Sequence, residues 1–329
     1  MKINPQVKKE FERAGYRIVG AHSAIKICEW TKKSLRNEGF CFKEKFYGIK
    51  SHRCVQMSPA LLNCQNKCIH CWRNLNYTSS EEIKNPQEPK EIIEECIKQQ
   101  RTILQGFKGS RKTNLKKFSE ALNPEQFAIS LIGEATLYPK LAELIRELRK
   151  QKKTSFLVTN GLNPKKLLEL EKKNALPTQL YISLNAPNKK LYEKWHNSKE
   201  KNAWEKFNQS LKLMKNLGKK TRTVLRLTLV RNINLKKELI PEYVKLIKKT
   251  LPWFIEVKSY MAVGYARKRI PYENMPLHSE IKSFSKLLEK ELKKYPETKK
   301  YKILDEKKES RVVLIGKSKK DKKIKKNGI

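Results

Sequence analysis

No run among the 329 residues approaches the roughly 18 uninterrupted apolar residues that a membrane-spanning helix needs. The first fifteen, MKINPQVKKEFERAG, are charged where a secretory leader would be apolar. Both absences point to a soluble, cytoplasmic protein with no membrane partner. Acidic residues are scarce: 33 Asp and Glu stand against 74 Lys and Arg, leaving a formal charge of +41. An excess of that size creates a field that attracts polyanions, so nucleic acid is the first candidate partner. The competing account is a lysine-rich, AT-biased or thermophilic composition with solvated charges, and salt-dependent binding separates the two. No internal repeat is present. The length suggests about two domains, although a single barrel-type domain also reaches it.

Six runs have strand character: 54–62, 127–133, 154–161, 180–186, 224–230 and 254–261. Amphipathic helical stretches lie between them, among them 91–105, 141–151 and 238–251. Strands alternating with helices imply an α/β protein with a parallel sheet, open or curled into a partial barrel. Residues 1 to about 53 show little periodicity and read as an irregular N-terminal extension. The connection 106–120, GFKGSRKTNLKKFSE, is too long and too basic for a plain turn. A closing helix is expected over 278–295, a terminal hairpin over 301–317 and a disordered basic tail beyond it.

Side-chain parity says more than strand count. Leu225, Leu227 and Leu229 share one face of their strand, as a surface covered by helices requires, while Arg226 and Thr228 point the other way. Leu180, Ile182 and Leu184 likewise oppose Tyr181, Ser183 and Asn185, and Ile255 and Val257 oppose Glu256, Lys258 and Tyr260. A small closed barrel fills its lumen with branched apolar side chains, so a polar inner face implies a wider barrel holding a polar ligand. The alternative is a sheet with one face in solvent, which is uncommon for parallel strands.

The fourth cysteine is missing from LLNCQNKCIHCWRN, where Cys64, Cys68 and Cys71 fall within eight residues. Structural zinc normally takes four ligands, often as two separated pairs. A cubane [4Fe-4S] cluster has four iron corners, and three thiolates hold it while leaving one iron open for a substrate or cofactor. The triplet directly follows the first expected strand, where the active-site loops of α/β barrels lie.

On this motif and its place the chain resembles the radical S-adenosylmethionine (SAM) enzymes over most of its length. The resemblance implies a partial (β/α)6 TIM-like barrel in which Cys64, Cys68 and Cys71 hold a [4Fe-4S] cluster whose open iron is chelated by SAM. One electron then cleaves SAM to methionine and a 5'-deoxyadenosyl radical. Gly133 and Glu134 in ISLIGEATLYP resemble the Gly-Glu element that binds the SAM amino group, with Ala135 where proline is frequent. Asn160, Ser183 and Asn185 at strand ends are candidate ribose and carboxylate contacts, with structural turn roles as the alternative. Arg226 is a candidate partner for the SAM carboxylate.

Cys28, Cys41 and Cys54 form a second triplet, thirteen positions apart each time. Such spacing cannot chelate from one loop, so the extension must fold around whatever they bind: a second [4Fe-4S] cluster, zinc, or nothing if they are small buried side chains. Cys96, inside a helical run, reads as a buried residue. The double triplet, with CIHCWRN, GFKGS, ISLNAPN and VKSYMAVGYARKRI…MPLH, is similar to the archaeal 4-demethylwyosine synthases from about Cys28 to His278. That resemblance implies condensation of pyruvate with N1-methylguanosine at position 37 of tRNA-Phe, and two clusters. The flavodoxin-like domain of the eukaryotic relatives is lacking, which implies an external donor of flavodoxin or ferredoxin type.

The expected organisation is therefore an extension over 1–55 binding the second cluster, a barrel over 56–277, a helix and hairpin over 278–317 and a tail over 318–329. Lys108, Arg111, Lys112, Lys116, Lys117, Arg267, Lys268 and Arg269 are candidate tRNA phosphate contacts. Trp72 either stacks near the target base, which must leave its stack to react, or packs the loop. Lys43, two residues after Cys41, is the catalytic candidate: beside a cluster ligand it would be partly desolvated, which favours the neutral amine that condenses with a ketone. It could equally be one more solvated lysine, Lys45 stands near it, and the second cluster's open iron could take pyruvate instead. Two other classes fit fewer of these features: another radical SAM enzyme acting on RNA, such as a methylthiotransferase, and a zinc protein that binds nucleic acid without catalysis.

Overall fold

Asn4 starts the first helix: its side-chain carbonyl accepts the Gln6 N–H at 2.9 Å, and Pro5, with no N–H to satisfy, takes the first helical position of α1 (Pro5–Arg13). The computed structural model describes residues 3–325, and the chain folds as two compact units. The first holds the residues up to Cys64, Tyr77–Val158 and Glu169–Thr178. The second holds Gln65–Asn76, Thr159–Leu168 and the chain from Gln179 onward.

In the first unit an antiparallel hairpin, β1 (Tyr16–Val19) and β2 (Ser23–Lys26), precedes α2 (Glu29–Leu35) and α3 (Phe42–Tyr47). Next come β3 (Cys54–Ser58), α4 (Pro89–Lys108), α5 (Leu115–Ala121), β4 (Gln126–Ile129), α6 (Leu141–Lys150) and β5 (Thr154–Thr159), after which α7 (Pro164–Lys172) follows in the chain. β3, β4 and β5 pair in parallel, and β2 adds to β3 antiparallel. In α6, Leu141, Leu144, Ile145 and Leu148 recur at helical spacing and are fully buried, each contributing roughly 1.5–3 kcal/mol.

The second unit contains β6 (Gln179–Ser183), α8 (Lys189–His196), α9 (Ala203–Leu217), β7 (Arg222–Leu229), α10 (Ile240–Thr250), β8 (Phe254–Ser259), α11 (His278–Leu292), β9 (Lys302–Lys307) and β10 (Val312–Gly316). β6, β7 and β8 are parallel; β10 adds antiparallel to β8 and pairs with β9. Leu225, Leu227 and Leu229 are buried on one face of β7, with Arg226 and Thr228 half-buried on the other.

The six expected strands correspond to β3 through β8, and the closing helix and hairpin to α11, β9 and β10. Three expectations are corrected. The supposedly irregular extension carries α1, β1, β2, α2 and α3, elements of nine residues or fewer that are too short to show a period. The basic connection is mostly helix: α4 runs to Lys108 and α5 begins at Leu115, with the Asn114 side chain accepting the Lys117 N–H at 3.0 Å. The tail is anchored at its start, because the Arg222 guanidinium donates to the carbonyls of Asp321 and Lys322 at 2.7 Å each. Residues 326–329 of the expected tail lie outside the described residues. Among the described residues no helix is long and apolar enough to cross a membrane.

Candidate active site

The first unit gathers the widely spaced cysteines. Cys28 caps α2 and Cys41 caps α3, where the Cys41 sulfur accepts the Lys43 N–H at 3.5 Å. Cys54 opens β3. Ser51 ties the three segments together. It accepts the Cys41 N–H on its hydroxyl at 2.8 Å, donates that hydroxyl to Glu44 Oε2 at 2.6 Å, and accepts the Thr31 hydroxyl on its carbonyl at 3.0 Å. Burial pushes the Cys54 thiol up to about 12; the Lys43 ammonium opposes the rise, and Cys28 and Cys41 add to it. Burial likewise raises the Cys28 thiol, again against the Lys43 charge. The three thiols and Lys43 therefore lie within electrostatic reach of one another. Lys43 is only 8% exposed, and its ammonium stands 5.1 Å from the centroid of the Phe156 ring. The solvated-lysine alternative does not hold for it, whereas Lys45 is exposed.

Cys64 is also in this unit, buried, with its N–H donated to the Ser79 carbonyl at 2.7 Å. Glu134 is 2% exposed and caps a short 3-10 turn, its Oε1 accepting the Thr136 N–H at 3.2 Å and hydroxyl at 2.8 Å. Its own N–H donates to the Asn63 carbonyl at 2.7 Å. Gly133 has φ +75°, and a Cβ there would sit 1.8 Å from the Ala60 carbonyl oxygen. Cys96 is fully buried in α4, as expected.

The second unit holds Cys68 and Cys71 on a loop tied down from two directions. Lys67 and Ile69 donate their N–H groups to the carbonyls of His196 and Trp195, the last two residues of α8, at 2.9 and 3.0 Å. Arg269 caps the loop's far side, its guanidinium donating to the carbonyls of Ile69, at 3.0 Å, and Cys71. Tyr265 donates its N–H to the Trp72 carbonyl at 2.9 Å, and Trp72 itself is 43% exposed. Burial, with the Arg269 charge adding to it, lowers the His70 pKa to about 4; burial, with His70 nearby, lowers that of His196 to about 3.

The polar strand ends of this unit are already engaged with one another. Arg226 lies on the face of β7 opposite the buried leucines, but it is paired with the fully buried Glu256, Nε to Oε2 at 2.9 Å, and lies 4.5 Å from the Tyr181 ring centroid. Ser183 is its half-buried register partner on β6. Asn185 Oδ1 accepts the Thr228 N–H at 3.2 Å, and its carbonyl accepts from Asn234 and the Tyr243 hydroxyl. Asn160 Oδ1 accepts the Leu162 N–H at 2.9 Å, and its amide donates to Gln65 at 3.2 Å.

Residues 61–240 match the model of the radical SAM superfamily, and 249–317 match the model described as wyosine base formation. The S-adenosyl-L-methionine-dependent tRNA 4-demethylwyosine synthase of Pyrococcus horikoshii is 46% identical over 96% of this chain and 91% of its own. The chain belongs to this family of radical SAM enzymes. A solved structure of TYW1 with a lysine-pyruvate adduct bound is 35% identical with a TM-score of 0.84, covering 99% of both chains. The crystal structure of archaeal TYW1 is 33% identical with a TM-score of 0.75, covering 98% of this chain and 99% of its own. The enzyme thus has the expected α/β radical SAM fold, uses SAM and a [4Fe-4S] cluster, and acts on tRNA in forming a wyosine base.

The residues present suit those groups. Asn66, between Cys64 and Cys68, is 1% exposed, and neither polar atom of its amide has a partner among the described residues, as expected beside a polar group bound in the loop. Sequence reasoning missed Ser51, Glu44, His196 and the loop-capping role of Arg269. Of these, Glu44 and Ser51 both lie between Cys41 and Cys54, each three residues from a cysteine of the second triplet, without an evident task in the sequence.

Proposed function

We propose that the enzyme condenses pyruvate with N1-methylguanosine at position 37 of tRNA-Phe to form 4-demethylwyosine, with Lys43 as the residue that holds pyruvate. The observation that carries this is the burial of Lys43 beside Cys28, Cys41 and Cys54. A lysine in a chain this basic has little reason to leave water unless its amine has a task. The lysine-pyruvate adduct of the related TYW1 structure supports the same chemistry. The neutral amine adds to the ketone carbon and water leaves, giving an imine that is fixed in position.

Cys64, Cys68 and Cys71 are the ligands we assign to the SAM cluster, and Cys28, Cys41 and Cys54 to a second [4Fe-4S] cluster in the extension over 1–55. When bound, the first cluster and SAM would supply the one-electron chemistry that takes hydrogen from the N-methyl group; two carbons of pyruvate then close the third ring and its carboxyl carbon is lost. Glu134 offers a carboxylate to the SAM ammonium, and Asn160, Ser183 and Asn185 offer polar contacts to its ribose and carboxylate. Arg226, balanced by Glu256, orders this polar face and reaches the carboxylate only by sharing its guanidinium. An external flavodoxin- or ferredoxin-type protein supplies the electron, in the cytoplasm.

An anaerobic reaction with SAM, reductant, pyruvate and N1-methylguanosine tRNA tests the whole reading, with the tricyclic base expected by mass. Incubation with pyruvate and cyanoborohydride, then digestion, should locate the trapped adduct on Lys43. Lys43→Ala should lose adduct and product yet keep SAM cleavage; an adduct elsewhere, or a fully active variant, removes Lys43 from the mechanism.

A further inference from the structure

His196 Nδ1 lies 3.0 Å from Cys68 Sγ, within hydrogen-bond reach of that cysteine's side chain in the second unit. The ring is 2% exposed at the last residue of α8, and Tyr192, one turn earlier, flanks it with ring centroids 4.4 Å apart. The backbone fixes the same approach, because the residues on either side of Cys68 donate their N–H groups to the carbonyls of His196 and Trp195. The neighbouring His70 is occupied differently: the Trp195 indole, which can only donate, gives its N–H to His70 Nδ1 at 2.8 Å.

We propose that His196 donates an N–H···S hydrogen bond to Cys68 and so raises the reduction potential of the cluster that Cys68 ligates. The inference rests on reading Cys64, Cys68 and Cys71 as the cluster ligands. A cysteine bound to iron carries no proton, so its sulfur can only accept, and the proton of the shared bond must sit on His196 Nδ1. That tautomer leaves Nε2 as a bare acceptor, and Nε2 indeed has no hydrogen-bond partner among the described residues. The extra electron of a reduced cluster is spread over its sulfur atoms, so an N–H aimed at one of them stabilises the reduced state more than the oxidised one. His196 would then be a positioning and tuning residue that acts through Cys68 without touching SAM or tRNA. It would ease entry of the electron that begins each turnover.

The test is an EPR-monitored redox titration of the full-length, anaerobically reconstituted enzyme without SAM. It is run as wild type and with Cys28, Cys41 and Cys54 replaced by alanine, so that the signal belongs to the first cluster. His196→Leu should move the midpoint to a more negative potential, and His196→Asn, which keeps an N–H near the Nδ1 position, should restore most of it. In enzyme carrying ¹⁵N-histidine, the reduced cluster should show a nitrogen coupling that His196→Asn removes. An unchanged midpoint in His196→Leu, equal shifts in both variants, loss of iron from both, or no nitrogen coupling in the wild type would each overturn the inference. If Cys68→Ala kept an unaltered cluster spectrum, the ligand assignment itself would fail, a result distinct from any failure of His196.

Discussion

Ser51 donates its hydroxyl to Glu44 Oε2 at 2.6 Å, and through that bond the turn before Cys54 is held to the helix that follows Cys41. The Ser51 N–H reaches the same oxygen at 2.8 Å, so Glu44 carries a two-pronged clasp. Hydrogen bonds to a charged group are worth about 1.5–3 kcal/mol each. Ser51→Ala removes the hydroxyl arm and frees the Cys41 N–H that it accepted. With the proposed second cluster on this triplet, iron should fall from about eight toward about four atoms per chain, while 5'-deoxyadenosine is still formed. Ser51→Ala with full iron content and normal product would show that the clasp does not govern the second triplet.

The two cysteine triplets should separate in the same measurements. On the proposed assignment, Cys64→Ala, Cys68→Ala or Cys71→Ala would each strip a ligand from the SAM cluster and should abolish SAM cleavage. Cys28→Ala, Cys41→Ala or Cys54→Ala should lower iron by about half and abolish the tricyclic product while leaving part of the SAM cleavage. Undiminished 5'-deoxyadenosine formation in any member of the first set would break the assignment.

The first triplet and the six strands were legible because each is local: cysteines within eight residues and apolar runs bounded by turns. The second triplet was legible only as a spacing. What brings it together, Ser51 with Glu44 and Thr31, depends on side chains whose types suit any surface. Parity correctly put Arg226 on the polar face of β7, yet it could not reveal that Glu256, directly opposite on β8, already balances the charge. His196 stands 128 positions from Cys68 and in no motif, so only the fold places it against that sulfur.

Gly133 is a position where one methyl group decides the local structure. Its φ of +75° disfavours every L side chain, and an added Cβ would meet the Ala60 carbonyl oxygen at 1.8 Å. Gly133→Ala must shift the chain segment that presents Glu134. We expect a loss of at least about 2 kcal/mol in stability and weaker SAM binding by equilibrium dialysis. Wild-type values for both would mean that the Gly133–Glu134 turn does not present the SAM contact.

Arg269 and the exposed cations from the end of α4 to the start of α5 should fail in opposite ways. Lys108, Arg111, Lys112 and Lys116 are exposed, and phosphate contacts made by such side chains release counterions, so affinity falls with salt in proportion to their number. Replacing the four with glutamine should flatten the plot of log affinity against log salt by up to about 3 to 4, while iron content and SAM cleavage without tRNA stay unchanged. Arg269, expected from sequence to join this set, instead donates its guanidinium to the carbonyls of Ile69 and Cys71, within the loop proposed to hold the SAM cluster. Arg269→Ala leaves those two carbonyls without their charged donor. It should therefore lower iron content and SAM cleavage even without tRNA, and change the salt slope little. An Arg269→Ala enzyme with full iron and a reduced slope would return the residue to the tRNA surface; a slope unaffected by the four glutamines would leave those cations as solvated charge.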